Sequence, residues 1–155
     1  MSTTTQTVEV DRPITVVYNQ WTQFEEFPHF MDGVESVQQL DNAHLRWEAK
    51  IGGISRSWDA EIIRQEPNRE VAWRATAGAE NSGVVTFREI GVDRTEVTLD
   101  LSFEPEGLAE QAGDKLGVVK SRAKGDLLRF KEFIESRPLA TGAWQGTIRD
   151  GRTTN

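Results

Sequence analysis

Imidazole and thiol side chains, which often carry acid-base or covalent chemistry, are scarce in this sequence. Its 155 residues include two His and no Cys, which excludes disulfides, thiolate catalysis and Cys-ligated zinc. His29 lies within an aromatic stretch, and His44 follows Asp41 and Asn42 in a turn. A general base needs an orienting partner and a proton within reach. The sequence supplies no partner for His29, so it predicts a partly exposed His29, a solvated His44 and no metal site.

Arg56 is the charged residue whose strand position most clearly predicts a side chain turned away from solvent. It shares strand phase with Ile54 and Trp58, so its side chain starts from the apolar face of its strand. A guanidinium there needs an anion or hydrogen-bond acceptors. A ligand oxygen, a partner inside the protein or a bulge that turns Arg56 outward would each meet this need. Arg56 is therefore the candidate polar anchor for a ligand.

Alternating apolar and polar residues predict the elements that position Arg56. LRWEAKI (45–51) and ISRSWDAEI (54–62) alternate on either side of Gly52-Gly53, and a Gly-Gly turn between such runs indicates a hairpin. Similar runs elsewhere raise the count to about seven strands, and their short connections make them antiparallel. These runs are TVEV, VESVQQL, VAWRA, GVVTFREI and TEVTLDLSF. We expect residues 7–103 to be mainly antiparallel strand.

Helical periodicity appears on both sides of these strands. Apolar residues from Leu108 to Ile134 recur by fours and threes, which predicts a helix that covers one face of the sheet. Its firmest part is LLRFKEFIESR (127–137), and 118–137 is expected to be the longest helix.

Two short helices are predicted after the first strand. The first opens near Pro13, and a capping box from Thr22 to Glu25 opens the second, which Pro28 should interrupt. We expect the rings that they carry to plug one end of the curved sheet.

The order of these elements resembles the START-related superfamily, and most closely its bacterial polyketide cyclase/dehydrase branch. The resemblance covers about residues 6–137 and lies in VY..W..FE.FP.FM..V, W.A.IGG..R.W.AEI and DL.RFK.FIE. It implies an α+β helix-grip fold, in which a seven-stranded curved antiparallel sheet wraps a long C-terminal helix. It also implies a cavity for an aromatic polyketide, a lipid or a quinone. Residues 1–137 would form this domain. Residues 138–155, which lack periodicity, would form a flexible tail.

Aromatic residues in inward phase are the candidate lining of such a cavity. Each ring either packs in the core or contacts a ligand. With Arg56, the predicted ligand-binding residues are Trp47, Trp58, Trp73, Phe87 and Phe103 on strands, and Phe27 and Phe30 at the plugged end.

Composition limits the classes of partner that we expect for this protein. The formal net charge of −7, from 25 acidic and 18 basic residues, argues against nucleic acid, whose phosphates require a basic surface. No apolar run is long enough to span a bilayer. The N-terminal MSTTTQTVEVD lacks the features of a signal peptide, so we expect a cytoplasmic protein.

Three functions fit these observations. A polyketide cyclase/dehydrase would shape a poly-carbonyl chain in the pocket while Arg56 stabilises enolate charge. A carrier would hold a small hydrophobic or aromatic ligand without reaction. An interaction protein would fill the cavity with its own rings. None of the three requires a metal or nucleotide cofactor.

Overall fold

The fold is an antiparallel sheet with one long helix against it. A computed structural model of the chain describes residues 2–51, 53–103, 115–137 and 139–153. The described strands are β1 (Ser2–Val10), β2 (Val34–Gln39), β3 (His44–Ile51), β4 (Ile54–Glu66), β5 (Glu70–Gly78), β6 (Asn81–Gly91), β7 (Arg94–Phe103), β8 (Ile148–Arg149) and β9 (Arg152–Thr153). The described helices are α1 (Ile14–Trp21), a 3₁₀ helix (Phe24–His29) and α2 (Lys115–Glu135).

The sheet is an antiparallel meander, as predicted. Its strand order is β1-β7-β6-β5-β4-β3-β2, and β8 adds to β4. The predicted hairpin is confirmed, because β3 and β4 pair from His44 with Glu61 to Ile51 with Ile54. Gly53 in its turn has a φ of 83°, a conformation that glycine adopts without strain. Seven long strands match the predicted count, and the two-residue β8 and β9 are additional.

Bulges curve the sheet. The register between β4 and β5 shifts at Asp59/Ala60 and again at Ile62/Arg64. Each shift bends the strand and increases its twist. The 13-residue β4 can therefore follow a concave surface instead of running straight. This curvature makes room for α2 over the apolar face.

Helix α2 covers the sheet with the predicted stripe. In the described part of the helix the stripe is buried at Val119, Ala123, Leu127, Phe130 and Ile134. The start of the predicted stripe, at Leu108 and Ala112, lies outside the described residues. The helix spans 21 residues, about 32 Å at 1.5 Å per residue, long enough to cross the sheet.

The two short helices form after β1 with one correction to their boundary. Thr22 does not open a capping box with Glu25; it is the C-cap of α1, with φ −77° and ψ −11°. Its hydroxyl instead donates to the carbonyl oxygen of Asn19 at 2.6 Å, because a residue still in helical conformation directs its side chain back to the preceding turn. The second helix is a 3₁₀ helix that contains Pro28 and ends at His29.

The C-terminal segment packs on the domain, which corrects the predicted flexible tail over 139–153. Ile148 is fully buried and pairs with Gln65 at the end of β4 that β3 leaves uncovered. The buried Gln20 accepts from the backbone N–H of Thr141 at 2.8 Å and donates to its hydroxyl at 3.0 Å. Single anchors and a two-residue strand produce no repeat that sequence periodicity could reveal.

Candidate functional site

A cavity of about 150 Å³ lies between α2 and the concave face of the sheet. A dry apolar cavity of roughly that size can hold a small aromatic molecule such as benzene. Its apolar lining comes from α1, the 3₁₀ helix and the turn after it, the strands β2, β3, β4, β5 and β7, and α2. The lining side chains include Trp21, Phe24, Phe27, Met31, Val34, Leu45, Trp47, Trp58, Ile62, Val71, Trp73, Leu99, Leu101, Val119 and Leu127.

Three tryptophans, Trp47, Trp58 and Trp73, form what we call the tryptophan wall on the sheet side of the cavity. Trp47 and Trp58 are direct partners on β3 and β4, and their rings stack with centroids 5.5 Å apart and planes 12° apart. Cross-strand partners project from the same face of a sheet. The hairpin register therefore places this flat indole pair against the cavity.

The indole nitrogens of the wall differ in their hydrogen bonds. Trp73 Nε1 donates to Asn81 Oδ1 at 3.0 Å. Its ring lies across Gly83, where an added Cβ would be 2.6 Å from the ring, so glycine at this position provides the space for the indole. Trp47 Nε1 is buried and has no hydrogen-bond partner in the described part of the chain. An unpaired buried donor of this kind costs about 1–3 kcal/mol.

The aromatic cluster, which we define as Trp21, Phe24, Phe27, Phe30 and Phe130, closes one end of the cavity. All five rings are buried. Trp21 meets Phe130 at 4.9 Å and 76°, and Phe24 meets Phe27 at 5.5 Å and 82°. These edge-to-face contacts are a favourable arrangement for aromatic quadrupoles. The prediction that the opening aromatic stretch plugs one end of the sheet agrees with this packing.

Three charged residues, Asp32, Arg122 and Asp126, also line the cavity, and we call them the polar rim. Asp126 Oδ1 accepts from Arg129 Nη2 at 2.5 Å and from the backbone N–H of Asp32 at 3.1 Å. Arg122 Nη1 donates to the carbonyl oxygen of Asp32, and Arg129 Nε donates to the carbonyl oxygen of Phe30 at 2.9 Å. Helix α2 thereby holds the turn that precedes β2 through three side chains.

Burial raises the pKa of one residue of this rim, Asp126. The Asp126 side chain keeps 15% of its surface exposed. Loss of water disfavours the carboxylate and raises the pKa of Asp126 to about 6, although the hydrogen bond from Arg129 and the charge of Arg122 act in the opposite direction. A carboxyl group with such a pKa exchanges its proton near neutral pH. The rim is thus the place in the cavity wall where proton transfer is chemically feasible.

The predicted ring residues divide between cavity and core. Trp47, Trp58, Trp73 and Phe27 line the cavity. Phe30, Phe87 and Phe103 are buried and lie outside its lining. Phe87, for example, packs edge-on against Tyr18 at 5.3 Å and 81°. Strand phase identified the inward face correctly, but it could not separate rings behind the cavity from rings beside it.

Arg56 lies on the apolar face, as its strand phase predicts. It pairs with Ala49, a residue that lines the cavity, and its Nε and Nη2 atoms are buried. Arg56 itself is not part of the described lining. Its role as a ligand anchor stays a prediction.

Sequence reasoning missed Arg122 and Asp126. They occupy positions four apart on α2, each one residue before a buried stripe residue, Ala123 or Leu127. This places them along the edge of the inward face. Charged residues beside an apolar stripe are usually solvated, so only the wrap of the sheet around α2 reveals that these two reach the cavity.

The two histidines lie at the surface, away from the cavity lining. His29 Nε2 contacts Glu26 Oε2 at 2.9 Å, and the His29 side chain is 62% exposed. His44 Nδ1 is hydrogen-bonded to Asp41 Oδ1 at 2.8 Å, and this hydrogen bond raises the pKa of His44. Within the described ranges, no three His, Cys, Asp or Glu side chains gather as metal ligands would. None of the described helices is both long and apolar enough to cross a membrane.

Comparison with known proteins identifies the family. Residues 10–132 match the model of the family described as polyketide cyclase/dehydrase and lipid transport. The chain belongs to this family. The resemblance read from the sequence is confirmed, and the curved sheet around a C-terminal helix is the START-like helix-grip fold.

Individual relatives cover almost the whole chain. An uncharacterised 17.2 kDa protein of Streptomyces lincolnensis, from the melC2-rnhH intergenic region, is 46% identical over 149 residues, 96% of this chain and 99% of the relative. The Zhui aromatase/cyclase of Streptomyces sp. R1128 superposes with a TM-score of 0.75 at 20% identity and covers 92% of this chain and 99% of that one. A START superfamily protein of Mycobacterium smegmatis superposes at 0.66 with 19% identity and covers 88% and 96%. At these identities, the two structures support the fold alone.

Proposed function

We propose that the protein binds a small, flat hydrophobic ligand in the cavity between α2 and the sheet. The observation that carries this proposal is the stacked pair of Trp47 and Trp58, which borders the cavity with an apolar surface. An aromatic ligand lying against this pair would gain both burial and ring stacking. The family, whose description includes lipid transport, supports the same class of ligand.

Cavity size favours a small ligand. A volume of about 150 Å³ is below the roughly 300–1,000 Å³ of drug-sized pockets. One or two fused rings match it better than an extended polyketide chain. A longer ligand would require the aromatic cluster or the polar rim to move.

Tryptophan emission offers a direct test. Titration with naphthalene derivatives, quinones and fatty acids should quench or shift the emission of the wild-type protein, most strongly for the flat aromatic ligands. The matched control is Trp144→Phe, because Trp144 packs on the core from the C-terminal segment and does not line the cavity. It should keep the response, whereas Trp58→Leu should lose it. An unchanged emission with every ligand, together with no bound compound in native mass spectrometry, would contradict the proposal.

A second candidate function, cyclase or dehydrase chemistry, is favoured by the polar rim. The carboxylate of Asp126 can take a proton from a carbon between two carbonyls of the substrate, which forms an enolate. The enolate carbon attacks another carbonyl of the same substrate, the C=O π bond breaks, and protonated Asp126 returns the proton to the alkoxide oxygen that forms. The positive charge of Arg122 would stabilise the enolate. Both groups line the cavity, and the pKa of Asp126 near 6 permits this proton transfer at neutral pH.

An assay for product formation distinguishes a ligand carrier from a cyclase or dehydrase. Short poly-carbonyl substrates incubated with the protein would be examined by mass spectrometry for loss of water and by absorbance for ring formation. If the protein is an enzyme, Asp126→Asn should abolish product and keep ligand binding. If product forms at the same rate with Asp126→Asn, or never forms with wild type, the ligand carrier function is the one that remains.

A further inference from the structure

The Asp126 carboxylate of the polar rim already accepts hydrogen bonds from protein donors. Asp126 accepts from Arg129 Nη2 and from the backbone N–H of Asp32. The same Arg129 contacts Asp126 at ion-pair distance. The negative charge of Asp126 is therefore balanced by Arg129, and no carboxylate among the described residues forms an ion pair with Arg122.

Arg122 is held at the cavity by its neighbours but is not neutralised. Its Nη1 donates to the backbone carbonyl of Asp32, which is a neutral acceptor. Its Nε is buried without a hydrogen-bond partner, and no ion pair to Arg122 occurs among the described residues. A buried, unpaired donor on a charged group is costly. An anionic oxygen bound to the same guanidinium would offset part of this cost.

Gly33 leaves the space that the Arg122 guanidinium occupies. Gly33 has a φ of 86°, and an added Cβ there would collide with Arg122 Nη1 and lie 2.6 Å from the carbonyl oxygen of Lys50. The turn before β2 thus leaves space for the guanidinium and holds it against Asp32 and Gly33. Met31 and Val34, which flank these two residues in sequence, line the cavity. A preorganised planar fork of this kind suits a carboxylate.

We propose that Arg122 is the cationic anchor of the cavity and that the ligand is an aromatic carboxylate. The ring of the ligand lies against the tryptophan wall, and the carboxylate of the ligand binds Arg122 at the polar rim. This inference rests on the proposed ligand-binding function and adds the chemical class of the ligand. It assigns to Arg122 of α2 the part that strand phase predicted for Arg56, because Arg122 lines the cavity and Arg56 does not.

Isothermal titration calorimetry with a matched ligand pair tests the assignment. The full chain would be titrated with naphthalene-carboxylate and with the uncharged naphthalene-carboxamide of the same shape. Wild type should bind the carboxylate about tenfold to a hundredfold more tightly, the worth of one charged hydrogen bond. Arg122→Gln should lower carboxylate affinity by the same factor and leave amide affinity unchanged. Arg122→Lys, which keeps the charge but loses the planar fork, should fall between them.

Two controls separate the anchor from general electrostatics. Lys124→Gln removes one positive charge from an exposed position of the same helix and should leave the preference for the carboxylate intact. Arg56→Gln should do the same if Arg122 is the anchor, and should abolish the preference if Arg56 is.

The outcomes also distinguish this inference from the proposed function. If neither ligand binds wild type, the ligand-binding function itself fails. If both bind wild type equally, the cavity binds ligand but has no anionic anchor. If Arg122→Gln lowers only the melting temperature and the preference persists, Arg122 is a structural clamp and the assignment is wrong. Should the Gln variant fail to fold, the wild-type preference and the Lys variant still decide.

Discussion

The aromatic cluster and the tryptophan wall are built from the same kinds of residue and differ in what surrounds them. In the aromatic cluster every ring is buried and meets other rings edge-on, as Phe30 meets Phe130 at 5.2 Å and 66°. In the tryptophan wall Trp47 and Trp73 are only partly buried, and all three indoles border empty space. Residue type therefore predicts that a ring is buried, and the surrounding backbone determines whether the ring contacts protein or borders a cavity.

This difference assigns separate tasks to the two regions. Trp21, Phe24 and Phe27 of the cluster also line the cavity, whereas Phe30 and Phe130 lie outside its lining. Rings packed like Phe30 and Phe130 contribute dispersion and burial to folding. Rings with one free side forgo part of that stabilisation and keep a surface for a ligand. We expect substitutions in the aromatic cluster to act mainly on stability and substitutions in the tryptophan wall to act mainly on binding.

The largest effect should come from truncation in the cluster. Phe30→Ala should lower the free energy of unfolding by about 3–5 kcal/mol, because a fully buried ring is replaced by a cavity. Trp47→Ala should cost less stability, since one side of its ring already lacks protein contacts, yet it should abolish the binding of flat aromatic ligands. Urea unfolding with and without naphthalene-carboxylate measures both quantities. Equal losses of stability would remove the distinction between the two regions.

A smaller effect should separate two members of the wall. Trp73→Phe leaves Asn81 Oδ1 buried without its donor and should cost about 1–3 kcal/mol. Trp47→Phe removes an indole N–H that is already unpaired, so its cost should be clearly lower. Thermal unfolding of both variants, each a Trp to Phe change, provides the comparison. A costlier Trp47→Phe would mean that its N–H has a partner in solution.

The smallest effect concerns the pH dependence of ligand binding at the polar rim. Because burial raises the pKa of Asp126 to about 6, this carboxyl stabilises the fold most in its neutral form, and that contribution is lost as the pH rises through about 6. Protonation also removes a negative charge next to Arg122. Carboxylate affinity should therefore increase about threefold to tenfold between roughly pH 7.5 and pH 5.5, up to about 1.4 kcal/mol.

Asp126→Asn provides the control for this pH dependence. Its carboxylate affinity should already be high at neutral pH and should change little on acidification, as measured by calorimetry with a ligand that stays ionised over this range. The naphthalene-carboxamide should show no such trend with either protein. A wild-type carboxylate affinity that is flat across the range would exclude Asp126 as the titrating group.

Sequence periodicity recovered most of the fold. Alternation along β3 and β4 fixed the hairpin and the inward phase of Trp47 and Trp58, because the period of a strand is local. The four-three stripe likewise identified α2 wherever the helix is described. Periodicity missed the docking of 139–153, since Gln20 and Thr141 are 121 residues apart and no repeat connects them.

The sequence by itself determined which faces turn inward, the order of the elements and the family to which the chain belongs. The tertiary structure alone decided which inward residues border the cavity. Trp58 lines it while Phe87, equally inward, packs against Tyr18; Arg122 and Asp126, which flank the helical stripe, lie at its rim. The physical reason is that periodicity encodes the direction of a side chain relative to its own backbone. A cavity depends on the distance between two backbones, which the bulges between β4 and β5 and the packing of α2 set together.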